Sequence, residues 1–355
     1  MALGASSGGL RYTMMQESQL SEQPLLTIAI PTYNRNKQLH QTLSELLPQV
    51  TQRCEVLIID NASSSPVAET TEHLLAQYPN VQVRMLCNRA NIGGNANICR
   101  CVEMADGQYL WILSDDDHVL PNALHIVLTT LENAQEAVFI NYSSEIHMRK
   151  AESVCIGINS FIDRIDSFAN ILFTSTSIFR TDILRDNLSF AYHYSYTMAP
   201  HIVALLLSLG SSRSSVLSCK QIVKWTPPSS EHQWPQVPQA LGMLALLELP
   251  LSSTARRRLA KKLIAACTPM KILTLQLLKQ EIASGERANS LFYYDHISYR
   301  LTYFGSNPYQ RLRFSLYRLL LCFPLASTRL LKITSKCLGR PDIKMLDTIQ
   351  TLERL

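Results

Sequence analysis

Three adjacent carboxylates, Asp115, Asp116 and Asp117, follow directly on the apolar run YLWIL at 109–113. Like charges this close repel one another, so an unpaired cluster costs folding free energy. A hard divalent cation removes that cost, because Mg2+ or Mn2+ takes oxygen ligands and keeps positions open for substrate phosphates. Such an ion would offset the charge that builds on a diphosphate leaving group. The plainer alternative is a solvated Asp-rich turn capping the helix after Pro121. A further carboxylate, Asp60, ends the run VLII at 56–59. There it can accept a hydrogen bond from the imide or amine edge of a nucleotide base, or simply close the strand as an Asx turn.

What must position these groups is a series of short apolar runs alternating with helix-like stretches. Strands are expected at 25–30 (stopped by Pro31), 56–59, 81–86, 109–113 and 137–142, with helices at 37–47, 69–77, 96–105 and 122–131 between them. Apolar strands joined by helical crossovers predict an α/β fold with a mostly parallel central sheet and flanking helices. Ligands of such sheets bind beyond the carboxyl ends of the strands. The four loops in that position are PTYNR, DNAS, NRANIGGN and SDDDH, all polar. Further on, 171–180 alternates like a strand with one wet face, 201–209 reads as an apolar helix and 219–225 as a last strand.

The ordered set IPTYNR (30–35), LIIDNAS (57–63), NRANIGGNAN (88–97) and GQYLWILSDDD (107–117) resembles the nucleotide-sugar half of glycosyltransferase family 2, which has the GT-A fold. The resemblance covers about residues 24–215. The SDDD form, with IFR at 178–180, is similar to the branch containing O-antigen abequosyltransferases. It implies that Pro31, Tyr33 and Arg35 line a nucleotide pocket and that Asp60 contacts the base. Asn91 and Gly93 would shape the wall near the ribose, Asp115 would contact ribose or sugar, and Asp116 and Asp117 would hold Mn2+ or Mg2+. Two positions depart from the pattern: Ser114 stands where many relatives have Asp, and Ile98 where many have Arg. Arg100, two residues on from Ile98, faces a different side of the helix.

The resemblance also implies a single inverting displacement, which needs a general base for the acceptor hydroxyl. Between 161 and 210 the candidates are Asp163, Asp166, Asp182, Asp186, His193 and His201. His201 ranks first, since it opens an apolar helix after the aromatic stretch YHYSY and imidazole titrates near neutral pH. Its plainer alternative is a satisfied buried histidine.

Charge divides the chain of 355 residues. From 251 onward there are 18 Lys+Arg against 6 Asp+Glu, a net of +12, whereas the first 250 residues carry −7. The basic part has amphipathic helical spacing, with Arg256, Arg257, Arg258, Lys261 and Lys262 in one block, Arg311 and Arg318 two turns apart, and Arg329, Lys332 and Lys336 beyond Pro324. Cationic faces opposite Leu and aromatic residues suit an anionic membrane surface. Nucleic-acid binding is not expected, because no nucleic-acid motif accompanies the charge. Nine scattered cysteines without a C-x-x-C pair argue against a disulfide framework or zinc ribbon and for a reducing cytoplasm. No apolar run is long enough to span a bilayer; 240–251 reads as a buried core helix.

The expected organisation is a mobile leader (1–23), a GT-A domain (24–225), a loop or lid (226–239) and a basic helical region (240–355). The function expected is transfer of a sugar from a nucleotide-diphosphate sugar to a hydroxyl of a saccharide or lipid-linked acceptor, in the cytoplasm or peripherally on the inner face of its membrane. The alternatives are a catalytically degenerate nucleotide-binding membrane scaffold and a nucleotidyltransferase.

Overall fold

Leu26, Ile28 and Ile30 of strand β1 (Leu26–Thr32) join the apolar cluster on one face of a sheet, and Ala29 joins the cluster on the other. In β2 (Cys54–Asp60) Val56 and Ile58 take the first face, Leu57 and Ile59 the second. In β4 (Tyr109–Ile112) Tyr109 and Trp111 oppose Leu110 and Ile112. Both faces are covered, so these strands read as unbroken apolar runs instead of alternating ones.

The computed structural model describes residues 23–226, 242–266, 287–304 and 307–323, with 274, 277, 278, 326 and 327. Nearly all of the expected leader, the loop from 227 to 239, and Arg329, Lys332 and Lys336 lie outside them. Helix α1 (Asn36–Leu46) links β1 to β2, α2 (Val67–Leu75) leads to β3 (Gln82–Cys87), and α3 (Gly94–Met104) leads to β4. After β5 (His118–Val119) and α4 (Ala123–Asn133) come β6 (Ala137–Ser143), β7 (Ser153–Ile156), α5 (Gly157–Arg164) and α6 (Phe168–Leu172). Then follow β8 (Ser177–Arg180), α7 (Thr181–Arg185), α8 (Leu188–His193), α9 (Pro200–Leu209), β9 (Ser214–Gln221) and β10 (Val223–Lys224).

The main sheet has the order β3-β2-β1-β4-β8-β6-β9-β7, and β5 pairs with β10 in a small second sheet. Its pairs are parallel except those of β8 with β4 and β6 and of β7 with β9. The expected α/β fold with a mostly parallel sheet and flanking helices is thus what the chain adopts.

Two elements differ from expectation. Pro31 does not end β1, which continues to Thr32 in register with β2. Ala29 O accepts from Leu113 N on the β4 side, and Pro31, two residues on, turns its missing N–H to that same side, beyond the last β1–β4 pair. The run 171–180 is not one strand. Ser167 caps α6 by accepting from Asn170 N, a 3-10 turn follows at Thr174–Thr176, and only Ser177–Arg180 is extended. Hydroxyl side chains that bond locally compete with the ladder in such a segment.

The described stretches beyond 240 are helical: a short turn through Leu246–Glu248, then α10 (Ser253–Ala266), α11 (Arg287–Phe304) and α12 (Pro308–Cys322). Leu244, Leu247, Leu259, Leu263, Ile297 and Leu301 enter the same apolar cluster as Phe139 and Phe161. Among the described residues no helix is long and apolar enough to cross a membrane.

Candidate active site

β1, β2 and β4 lie side by side and parallel, so their carboxyl ends deliver Thr32, Asp60 and the 114–117 loop to one edge. The acidic loop is fixed from several elements. Thr42 of α1 donates its hydroxyl to the carbonyls of Asp115 and Asp117, at 3.0 Å each. Asp115 accepts from Thr32 Oγ1 at 2.7 Å and from Arg35 Nη1 at 3.1 Å. Asp116 accepts from the same Arg35 nitrogen at 2.8 Å and from Ser114 Oγ at 2.6 Å. Asp117 accepts from Ser175 Oγ at 2.7 Å and from the Thr226 amide at 3.2 Å.

One guanidinium therefore faces three carboxylates. Burial pushes Asp115 up to about 6 and Asp117 up to about 7, with the hydrogen bonds from Thr32 and Ser175 opposing the shift. Burial also works against the Arg35 charge, but Asp115 and Asp116 outweigh it and raise its pKa. The under-compensated negative charge and the hard oxygen donors fit a divalent cation. Among the described residues no three His, Cys, Asp or Glu side chains form a ready-made metal cage. A cation held by Asp116 and Asp117 would take its other ligands from water and from donor phosphates, as Mg2+ commonly does.

The remaining wall is a set of linked amides. Asn61 Oδ1 accepts from Asn88 Nδ2 (3.0 Å) and the Ile92 amide (3.0 Å), while Asn61 Nδ2 donates to Asn91 Oδ1 (2.8 Å). Asn91 Oδ1 also accepts from Gly93 N at 2.8 Å. Gly93 has φ +85°, where a side chain would be strained, and nothing stands within 4 Å of a Cβ added there. This wall opens α3. Asp60 closes its strand by accepting from Ser63 N, three residues on, at 2.9 Å, and its second oxygen accepts from Cys87 Sγ at 3.6 Å. Pro31 is half-buried and Tyr33 exposed, both at the mouth of the same edge.

The two departures from the resemblance have local explanations. Ser114 braces Asp116 and donates its amide to Ser175 Oγ at 2.9 Å. Ile98 packs on the apolar cluster, and Arg100 turns to Glu103 on its own helix.

His201 is placed differently from expectation. It is only 2% exposed, Nε2 bonds the Leu172 carbonyl at 3.1 Å, and Nδ1 is buried without a partner among the described residues. Burial pushes its pKa down to about 4. Its ring packs edge-on to Phe179 and is closed to an acceptor hydroxyl in this arrangement. Of the other base candidates, Asp163, Asp166 and Asp182 are engaged with Arg258, Arg149 and Arg180.

Sequence reasoning missed Thr32, Thr42, Ser175 and Glu145. The exposed Glu145 follows β6 and accepts from the Trp225 amide at 3.2 Å, next in the chain to the Thr226 amide that Asp117 holds. Its position after a parallel strand was the available signal; no motif marked it.

The mostly parallel sheet, with acidic and amide-rich loops at one strand edge, is similar to the GT-A fold. Residues 27–166 match the profile described as glycosyl transferase family 2. Over 111 residues the chain is 32% identical to abequosyltransferase RfbV of Salmonella typhimurium, covering 31% of this chain and 33% of that one. Over 119 residues it is 25% identical to a GalNAc(5)-diNAcBac-PP-undecaprenol beta-1,3-glucosyltransferase of Campylobacter jejuni, covering 33% and 38%. The match thus spans about a third of the length of these curated relatives. In fold it is similar to S. aureus TarS 1-349 in complex with UDP-GlcNAc, with a TM-score of 0.58, 15% identity and coverage of 85% and 87%. It is also similar to the mannosyltransferase PcManGT of Pyrobaculum calidifontis in complex with GDP-Man and Mn2+, with a TM-score of 0.51, 10% identity and coverage of 90% and 89%.

Proposed function

We propose that the protein is an inverting glycosyltransferase that moves a sugar from a nucleotide-diphosphate donor to a hydroxyl on a saccharide or lipid-linked acceptor. The observation that carries this reading is the charge imbalance at 115–117, three carboxylates against Arg35 among the described residues, at the strand edge where the resemblance puts the donor. A bound Mn2+ or Mg2+ supplies the positive charge that the departing diphosphate needs. Arg35 orients Asp115 and Asp116, Ser175 and the Thr226 amide orient Asp117, and the Asn61–Asn91 wall shapes the space beside the donor. Asp60 would meet the base through the oxygen that now accepts from Cys87 Sγ. The acceptor oxygen loses its proton, attacks the anomeric carbon from the face opposite the diphosphate, and the bond to the diphosphate breaks. The test is a thermal-shift screen with UDP-, GDP-, CDP- and dTDP-sugars and Mn2+. Stabilisation by one nucleotide class supports the reading, and none by any favours the scaffold alternative.

For the proton, geometry favours Glu145 over His201, because Glu145 is exposed and holds the Trp225 amide, next in the chain to the Thr226 amide that Asp117 holds, whereas His201 is enclosed. Glu145→Gln should lower kcat by about 100-fold or more while leaving donor affinity within about twofold. Equal turnover by mutant and wild type would remove Glu145 from this role.

The α12 face supports a peripheral position at an anionic membrane. Leu312 is 60% and Phe323 63% exposed, beside Leu316, Leu319 and the basic Arg311 and Arg313. Leu316→Glu should reduce co-sedimentation with phosphatidylglycerol vesicles, and undiminished sedimentation would count against this face.

A further inference from the structure

A concave site that shares no lining residue with the acidic loop lies between α5 and α10. It is a cleft of about 450 Å³ lined by Asp163, Thr254, Arg257, Arg258, Lys261 and Lys262. Four cationic side chains thus meet one carboxylate in a space the size of a small-ligand site. Two of the four are already held. Arg258 pairs with Asp163, and Lys262 Nζ donates to the carbonyls of Asp163 (2.9 Å) and Ile165 (2.6 Å) at the end of α5. Those bonds fix the cleft wall in place and neutralise only one charge. Arg257 and Lys261, one helical turn apart and both exposed, have no partner among the described residues. Positive charges gathered without a counter-charge repel one another unless an anion joins them.

We propose that this cleft binds a phosphate or diphosphate ester. Arg257 and Arg258 would supply forked donors that match phosphate oxygens, Lys261 and Lys262 would add point charges, and the Thr254 hydroxyl would donate a further hydrogen bond. The requirement is for at least two negative charges, since the lining carries four positive groups and one carboxylate. The site stands independently of the transferase reading. Its ligand chemistry can come from a phosphate on a soluble saccharide or from the headgroup of an anionic lipid.

The acidic loop repels a metal-free diphosphate, so inorganic pyrophosphate in EDTA is a probe for the cleft. Calorimetric titration of the full chain should show saturable binding, weakened at least about tenfold in the double variant Arg257→Glu with Lys261→Glu. Both positions are exposed; Arg257→Gln with Lys261→Gln serves if charge reversal prevents folding. Donor-nucleotide stabilisation with Mn2+ should be the same in wild type and variant, which separates failure of this proposal from failure of the transferase reading. Vesicles of phosphatidylglycerol and phosphatidylcholine distinguish the sources. Binding to them that pyrophosphate competes away and the variant lacks assigns a lipid headgroup, whereas pyrophosphate binding without vesicle binding assigns a soluble phosphate ester. Absence of pyrophosphate binding by the wild type, or equal affinity in the variant, overturns the proposal.

Discussion

Asp116→Ala and Asp117→Ala should each abolish Mn2+-dependent nucleotide binding and lower turnover by about a thousandfold. The size follows from what removal of a single preorganised electrostatic group costs in other sites, about 100- to 1,000-fold, taken at its upper end because a charge that recruits a cation is lost. Loss of binding caused by misfolding would look different. Burial of Asp117, with Asp116 and Asp115 beside it, disfavours its charged form. Asp117→Asn should therefore leave the metal-free protein at least as stable as wild type while removing its stabilisation by Mn2+ with nucleotide. Unchanged calorimetric affinity in either alanine variant would sink the metal assignment.

Arg149→Met should destabilise the protein by about 1–3 kcal/mol, the cost of taking a buried hydrogen-bonding group from its partners; the ion-pair partner Asp166 is exposed and also pairs with His147. Arg149 is 8% exposed and serves four acceptors: Asp166 Oδ2 (3.2 Å), Asn141 O (3.1 Å), Asn141 Oδ1 (2.7 Å) and Ser218 O (3.3 Å). Asn141 is in turn tied to Asn170 and to Thr176 and Ser177, which flank the turn that carries Ser175. Methionine fills the stem's volume but takes the side-chain donor from Asn141 O and one of two donors from Asp166, Asn141 Oδ1 and Ser218 O, which keep His147, Asn170 and Ser143. Lysine at this position should recover only part of the loss, since one ammonium cannot reproduce the fork. Denaturant midpoints measure both, and a loss under about 1 kcal/mol for Arg149→Met would show the network to be dispensable.

The parallel half of the sheet and its loops were legible in the sequence because each strand is buried on both faces and each loop is polar at the same end. Asp60 and the 115–117 cluster stood out for that reason. The supporting contacts were not legible. Ser175 reaches Asp117 across 58 positions of chain, and Thr226 across 109, so no local spacing could announce them. The run 171–180 misled because alternating apolar residues suit a strand and a helix end alike, and hydroxyl bonding decided between them. His201 drew notice by its place before an apolar helix, and that same apolar setting is what encloses it. Burial is a long-range property, and a single histidine carries no sign of it.

The order of the sheet bears on how the chain can be divided. The family match ends at 166, yet β8, at Ser177–Arg180, is inserted between β4 and β6, and β9 covers the other side of β6. A fragment cut where the match stops would expose one open edge on β4 and two on β6, each a template for pairing with another chain. The matched segment is therefore not a detachable module, and a domain swapped between relatives keeps its closure only if the exchange runs through Gln221.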